Sequence, residues 1–363
     1  METDLIYNLT PSKILKIMKD PEKSAKAINL IYISDSCEGI ARKKRGKKFQ
    51  YLKNGVPLKD KKELARIRQL IIPPAWENVW ICALENGHLQ ATGIDGKKRK
   101  QYRYHPLWNA LRSHTKFYRM LQFGAALPQI RLHLEQDLSL KGLEKRKVLA
   151  VVVSLMERTN IRVGNSIYEK LYGSFGLTTL KDKHVKIAGQ KIKFSFKGKK
   201  GVYHDIELKN KKLAKAVQNC QDIPGKELFQ FYNEDGSRQA IDSGMINDYI
   251  KEISGSDFTA KDFRTWSGTV NALIAFKEIG IAETDKEYKS NIKQALENVA
   301  AHLGNTPSVC RKYYVHPLIV NLYENHSIKK YLDELDAIEM DDGKTGLTRE
   351  ERIVMKILET EKI

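Results

Sequence analysis

The stretch 301–317, AHLGNTPSVCRKYYVHP, holds the residues of this chain best suited to nucleophilic chemistry. Two tyrosines, Tyr313 and Tyr314, follow the cations Arg311 and Lys312. A phenol titrates near pH ~10, so it attacks as phenolate only where neighbouring positive charge favours that form. Such a group suits attack on a phosphodiester, whose oxygens must then be held by fixed cations. Two separate arginines fit that need: Arg162 in Thr159-Asn160-Ile161-Arg162-Val163-Gly164, and Arg264 in Lys261-Asp262-Phe263-Arg264-Thr265-Trp266. A guanidinium fork can grip two oxygens of one phosphate.

The elements around these residues follow from periodicity. Tyr288, Ile292, Ala295, Leu296, Val299 and Leu303 recur at spacings of three and four, which predicts an amphipathic helix into the stretch. Gly304 stands where a helix end needs positive φ, and Thr306-Pro307 has the form of an N-cap with proline at the first helical position. On that reading the tyrosines lie just past a helix start, in a field that favours an anion. Arg162 hangs off the end of a helix over 142–160, whose Leu149, Val152, Val153, Met156 and further valines point to burial on most sides. Helices are expected over 107–123 and 127–139, strands over 177–208 with turns at Ala188-Gly189 and Gly198–Gly201, and helix again from about Lys209. Arg264 falls in the first turn of one of these, and the charged tail past Lys344 reads as a helix without chemistry of its own.

The first part of the chain is different. A polar lead-in to about residue 35 precedes the basic tract Ala41–Lys48, and Asn54-Gly55 signals a hairpin. A helix over 61–69 ends before Pro73-Pro74, and 76–84 with 88–93 reads as two antiparallel strands. Lys97, Lys98 and Arg99 then sit in a loop before a strand that puts Tyr102 and Tyr104 on one face and Arg103 on the other. Cations interleaved with aromatic rings are what phosphates and base edges meet. The expectation is an α+β chain: a β-rich DNA-binding domain over 1–108 and a mostly helical catalytic domain with a small sheet or hairpin over 109–363.

Composition limits the partners. The 363 residues include 63 Lys and Arg against 44 Asp and Glu, a net charge of +19, which argues for a polyanionic partner such as nucleic acid or, less well, an acidic membrane surface. The longest apolar run, around Val148–Met156, is too short to span a bilayer, and no signal peptide is read at the N-terminus. Cys37, Cys82, Cys220 and Cys310 form no C-x-x-C pair, so neither a disulfide framework nor a cysteine zinc site is expected. There is no P-loop and no H-E-x-x-H motif, so the expected chemistry needs no nucleotide and no cofactor or metal. The chain is expected in the cytoplasm with the nucleoid, as a monomer.

In order along the chain, Gln101–Tyr104, Ile161–Gly164, Leu180–Val185, Phe196–Lys199, Lys261–Arg264 and Gly304–Ser308 with Tyr314 resemble the type IB DNA topoisomerases of the compact poxviral and bacterial kind. The likeness runs from about Ile67 to about Leu322. It implies a two-domain clamp around duplex DNA, with Tyr314 as nucleophile, Arg162 and Arg264 at the scissile phosphate, and Lys199 as the hairpin lysine. It also implies DNA contacts from Lys181, Lys183 and Lys261. The poxviral pattern has histidine where this chain has Asn305, which can donate a hydrogen bond but cannot shuttle a proton. Lys199 would protonate the leaving 5′-oxygen as general acid. A 3′-phosphotyrosine intermediate would conserve the bond energy for resealing. The rival reading is a tyrosine recombinase, which shares the Arg-Lys-Arg-Tyr set. Here Lys261 stands in place of the recombinase H-x-x-R histidine, and the N-terminal region is β-rich. A basic DNA-packaging protein would explain the charge alone.

Overall fold

A computed structural model describes residues 20–46, 48–96, 98–337 and 345–361. The chain divides into two compact units between Tyr118 and Arg119, within the helix Pro106–Leu138.

The first unit is built on an antiparallel sheet of β1 (Gly39–Arg45), β2 (Lys48–Lys53), β3 (Val56–Pro57), β4 (Glu77–Cys82), β5 (Leu89–Ile94) and β6 (Lys100–Tyr104), in the order β3-β2-β1-β4-β5-β6. Asn54 and Gly55 both take positive φ, 49° and 78°, which gives the β2–β3 turn a twist matching its strands. The tract Ala41–Arg45, conspicuous in sequence for its charge, is a paired strand. Arg42 lays its guanidinium over Phe49 and donates to the carbonyls of Ile72, Pro73 and Trp76, so its charge is spent on holding a loop. Ile40, Val79, Ile81 and Ala91 of the sheet close over Ile67 of the helix Lys61–Gln69. A second cluster joins Ala25, Ile28 and Leu30 to Leu107, Trp108 and Leu111 at the start of the long helix.

The second unit is mostly helical. The helix Lys145–Thr159 is buried without interruption from Val148 to Met156, as its valines predict, and packs against the helices Ser243–Ser254 and Ala260–Ile279. Beside them lie the antiparallel meander β7 (Val185–Ala188), β8 (Lys191–Lys197), β9 (Tyr203–Lys209) and the hairpin β10 (Gln230–Tyr232), β11 (Arg238–Ala240). No helix of the described residues is long and apolar enough to cross a membrane.

Several expectations are corrected here. The helices predicted over 107–123 and 127–139 are one, Pro106–Leu138, with Pro128 inside it. Gly124 is not a break: a Cβ there would lie 2.5 Å from Cη2 of Trp266 and 2.4 Å from Sδ of Met355, so glycine allows close packing in a continuous helix. Residues 177–184 are not strand but two short 3₁₀ turns, Leu177–Thr179 and Asp182–His184. The short helix Ser166–Tyr172 and the β10–β11 hairpin carry too little periodicity to be read in advance.

Candidate active site

The site is assembled at the ends of helices. The helix Lys145–Thr159 closes on Asn160, which takes the left-handed conformation at φ 56°, and the chain then turns out through Arg162. The backbone carbonyls of Arg162 and Val163 accept from the amides of Leu177 and Thr178, at 2.9 and 2.7 Å. Gly176 makes that approach possible, since a Cβ there would stand 2.5 Å from the Arg162 carbonyl oxygen. The segment bearing Arg162 is therefore fixed on both sides.

The helix Asp285–Leu303 ends on Gly304 at φ 59°, as its sequence predicts. The next residue, Asn305, accepts from Nη2 of Arg162 through its Oδ1 at 2.6 Å, and the Gly304 carbonyl accepts from the same nitrogen at 3.1 Å. Arg264 lies in the first turns of Ala260–Ile279 and is only 5% exposed. Its Nη1 donates to the carbonyl of Asn160 and its Nη2 to the carbonyl of Leu303 at 2.8 Å. Each of those carbonyls ends a helix, and helix C-termini carry about half a negative charge. A buried cation that would otherwise be costly is thus held between two partial negative ends.

Tyr314 completes the group. Its ring lies under the Arg264 guanidinium, 5.3 Å from centroid to Cζ. Gly268 lets the tyrosine backbone approach, because a Cβ there would meet the Tyr314 carbonyl oxygen at 2.7 Å, and Thr269 donates to that carbonyl at 3.3 Å. One expectation is corrected. Tyr314 does not lie just past a helix start but caps the C-terminal end of the seven-residue helix Pro307–Tyr313, where the helix field opposes an anion. The cation beside the ring is Arg264, contributed by another helix. Tyr313, by contrast, is 45% exposed, with Lys312 over its ring.

Burial works against the charge of both arginines. The Arg162 pKa is drawn down to about 10, first by burial and then by repulsion from Arg264. Arg264 is lowered by burial. Two buried donors, Nε of Arg264 and Nδ2 of Asn305, have no hydrogen-bond partner among the described residues. Leaving such donors unpaired costs about 1–3 kcal/mol each, and both belong to one cationic cluster. Donors held in reserve beside two guanidiniums suit an anionic oxygen.

The other predicted residues stand outside this group. Lys199 is exposed at the β8–β9 turn and, among the described residues, bonds to none of the four. Lys181 is held between Glu169 and Glu227, while Lys183 and Lys261 are exposed. In the first unit Tyr102 and Tyr104 stack at 5.9 Å with planes 10° apart, and Arg112 lies over the Tyr104 ring. Arg103 donates to the carbonyl of Ile71. Lys98 pairs with Glu77 and Arg99 with Asp95. Lys97 lies outside the described residues.

His204 was not singled out from sequence. It faces Phe196 across β8 and β9, ring centroids 5.1 Å apart, and its pKa is lowered by burial, then by Arg162 and Arg264. Register counted back from the Gly198–Gly201 turn pairs it with Phe196 on the inward face, the one signal that could have found it.

Residues 99–340 match the family described as eukaryotic DNA topoisomerase I, catalytic core, and residues 48–95 match the bacterial DNA topoisomerase IB, N-terminal domain. The DNA topoisomerase 1B of Acanthamoeba polyphaga mimivirus is 33% identical over 298 residues, spanning 80% of this chain and 88% of the viral protein. The DNA topoisomerase 1B of Vaccinia virus (strain Copenhagen) is 25% identical over 272 residues, 74% and 81% of the two chains. With two arginines, an asparagine and a tyrosine gathered at one cationic cluster inside the matched region, the chain belongs to the type IB DNA topoisomerase family.

Proposed function

We propose that this chain relaxes supercoiled duplex DNA by transient cleavage of one strand, with Tyr314 as the nucleophile. The observation behind this reading is the convergence of Arg162, Arg264 and Asn305 beside the Tyr314 ring, with two buried donors unpaired. The Tyr314 oxygen attacks the scissile phosphorus and its phenolic proton leaves to solvent. Negative charge builds on the non-bridging oxygens, where the two guanidiniums and the Asn305 amide receive it. The bond from phosphorus to the 5′-oxygen breaks, and that oxygen takes a proton from the Lys199 ammonium. The product is a 3′-phosphotyrosine and a free 5′-hydroxyl. Rotation of the free end releases supercoils. Attack by the same hydroxyl reverses the step without ATP, because the phosphotyrosine conserves the bond energy. The first unit offers duplex DNA its β6 strand with the Tyr102–Tyr104 stack, and the second offers Lys181, Lys183 and Lys261. The protein works as a monomer, in the cytoplasm with the nucleoid.

The test is supercoiled plasmid incubated with the protein in EDTA, without ATP and without paired recognition sites. Relaxation is expected from the wild type, and none from Tyr314→Phe, whose duplex binding stays within about twofold. Relaxation retained by Tyr314→Phe would remove Tyr314 from the role and turn attention to Tyr313.

A further inference from the structure

The β8–β9 hairpin presents Lys199 at an exposed tip, Lys199–Gly201, within which Lys200 adopts positive φ. Its base is tied down: the amide of Gly198 donates to the Val202 carbonyl at 2.7 Å, and that of Phe175 to the Lys197 carbonyl at 2.8 Å. Among the described residues, these backbone bonds do not reach the turn bearing Asn305, and a side chain lies between the two. The His204 imidazole lies between two glycines, stacked on Phe196. A Cβ on Gly198 would lie 2.5 Å from its Cδ2, and a Cβ on Gly304 would lie 2.5 Å from its Cε1.

The two glycines differ in what requires them. Gly304 takes φ 59° as a helix cap, so its lack of a side chain has a backbone reason. Gly198 has φ −92°, which any residue adopts. Its missing side chain is accounted for by the ring that fills the space.

We propose that His204 is a positioning residue: its imidazole, wedged between Gly198 and Gly304, sets the hairpin carrying Lys199 against the turn carrying Asn305, so that the general acid reaches the leaving oxygen while Asn305 holds the phosphate. This rests on the functional reading given above and adds to it a residue that touches no reacting atom. A misplacement of about 1 Å at a reacting group can cost about a hundredfold in rate, so a wedge of this kind acts strongly on proton delivery. It acts weakly on ground-state binding.

The test uses the full-length chain and a duplex with one labelled strand, the cleaved phosphate first being mapped by denaturant trapping of the wild type. His204→Ala is expected to slow single-turnover cleavage about 10–100-fold, with duplex affinity within about twofold. A second duplex carries sulfur in place of the bridging 5′-oxygen at that phosphate. A thiolate leaves without a proton, so on this substrate the variant is expected within about threefold of wild type. Gly198→Ala, which drives a methyl into the ring from the other side, is expected to slow cleavage in the same way. The double variant is expected to be no slower than the slower single, because removing the ring frees the space for the methyl. His204→Ala at the wild-type rate overturns the proposal, and so does an equal loss on oxygen and sulfur substrates. If His204→Ala shows no cooperative thermal transition, Gly198→Ala decides by the same two substrates. A wild type that forms no adduct on either duplex overturns the functional reading itself.

Discussion

Arg264 has to be both buried and available, and its surroundings reconcile the two. Its two terminal nitrogens are occupied by the carbonyls of Asn160 and Leu303, while Nε is left unbonded. The guanidinium is thereby locked in orientation with its Nε unpartnered among the described residues, which a point-charge ammonium cannot reproduce. Arg264→Lys is expected to slow cleavage about 10²–10³-fold while duplex binding changes little, as read by single-turnover cleavage beside a binding titration. A variant that cleaves at the wild-type rate would mean that charge alone suffices there. Much at this scale was legible in sequence. Arg162, Arg264 and Tyr314 stand out as residue types suited to a phosphodiester, whereas Asn305 is picked out only by the family resemblance. The field at Tyr314 was not legible. The helix begun by Pro307 ends at Tyr313, so the tyrosine sits at its far end, and the guanidinium over its ring comes from the separate helix Ala260–Ile279. His204 was hidden for a similar reason: a half-buried histidine in a short polar-alternating strand looks like any other until the hairpin register is known.

The element most easily dismissed is the C-terminal helix Arg349–Thr360. Its Glu351 is buried, accepts from Arg131 at 2.8 and 2.9 Å, and accepts from Nε1 of Trp266 at 3.0 Å. Trp266 lies two residues after Arg264 in the same helix, so this contact braces the segment that holds the site arginine. Burial works against ionisation of Glu351, but the Arg131 bonds and charge, with the Trp266 bond, hold its pKa below the usual glutamate value. A carboxylate with a depressed folded pKa stabilises fully above its unfolded value of about 4.3, and that stability is lost as pH falls through the lower folded value. Glu351→Gln is therefore expected to lower the thermal midpoint near neutral pH and to flatten its decline below about pH 4.3, as measured by melts across pH. Parallel curves for the two proteins would contradict the ion pair's role. Sequence gave this helix correctly but not its purpose, because Glu351 is one acid among many until Arg131 and Trp266 are brought to it. The same applies to Gly124. In sequence Gly124-Ala125-Ala126 with Pro128 reads as an interruption, and the Trp266 ring and Met355 packed against Gly124 account for glycine within an unbroken helix. The Asn54-Gly55 turn and the Gly304 cap, whose conformations depend on local chemistry alone, were readable without any partner.

Across the whole molecule the +19 charge sets the terms of association with duplex DNA. Contacts with phosphates release condensed counterions, so affinity for a duplex of arbitrary sequence is expected to fall about 10³–10⁵-fold between roughly 50 and 200 mM salt if some six to ten phosphates are engaged. A log–log titration measures this directly, and a flat response would contradict a charge-led interface. The family match and the cationic cluster bring these scales together in one claim: a single phenol captures the scissile phosphorus. The most direct measurement is to stop a reaction on labelled duplex with denaturant, digest the trapped protein and sequence the peptide that bears the label. The account predicts a peptide modified at Tyr314 and joined to a 3′-phosphoryl end. Label on Tyr313, on any other residue, or on a 5′-phosphoryl end would contradict it.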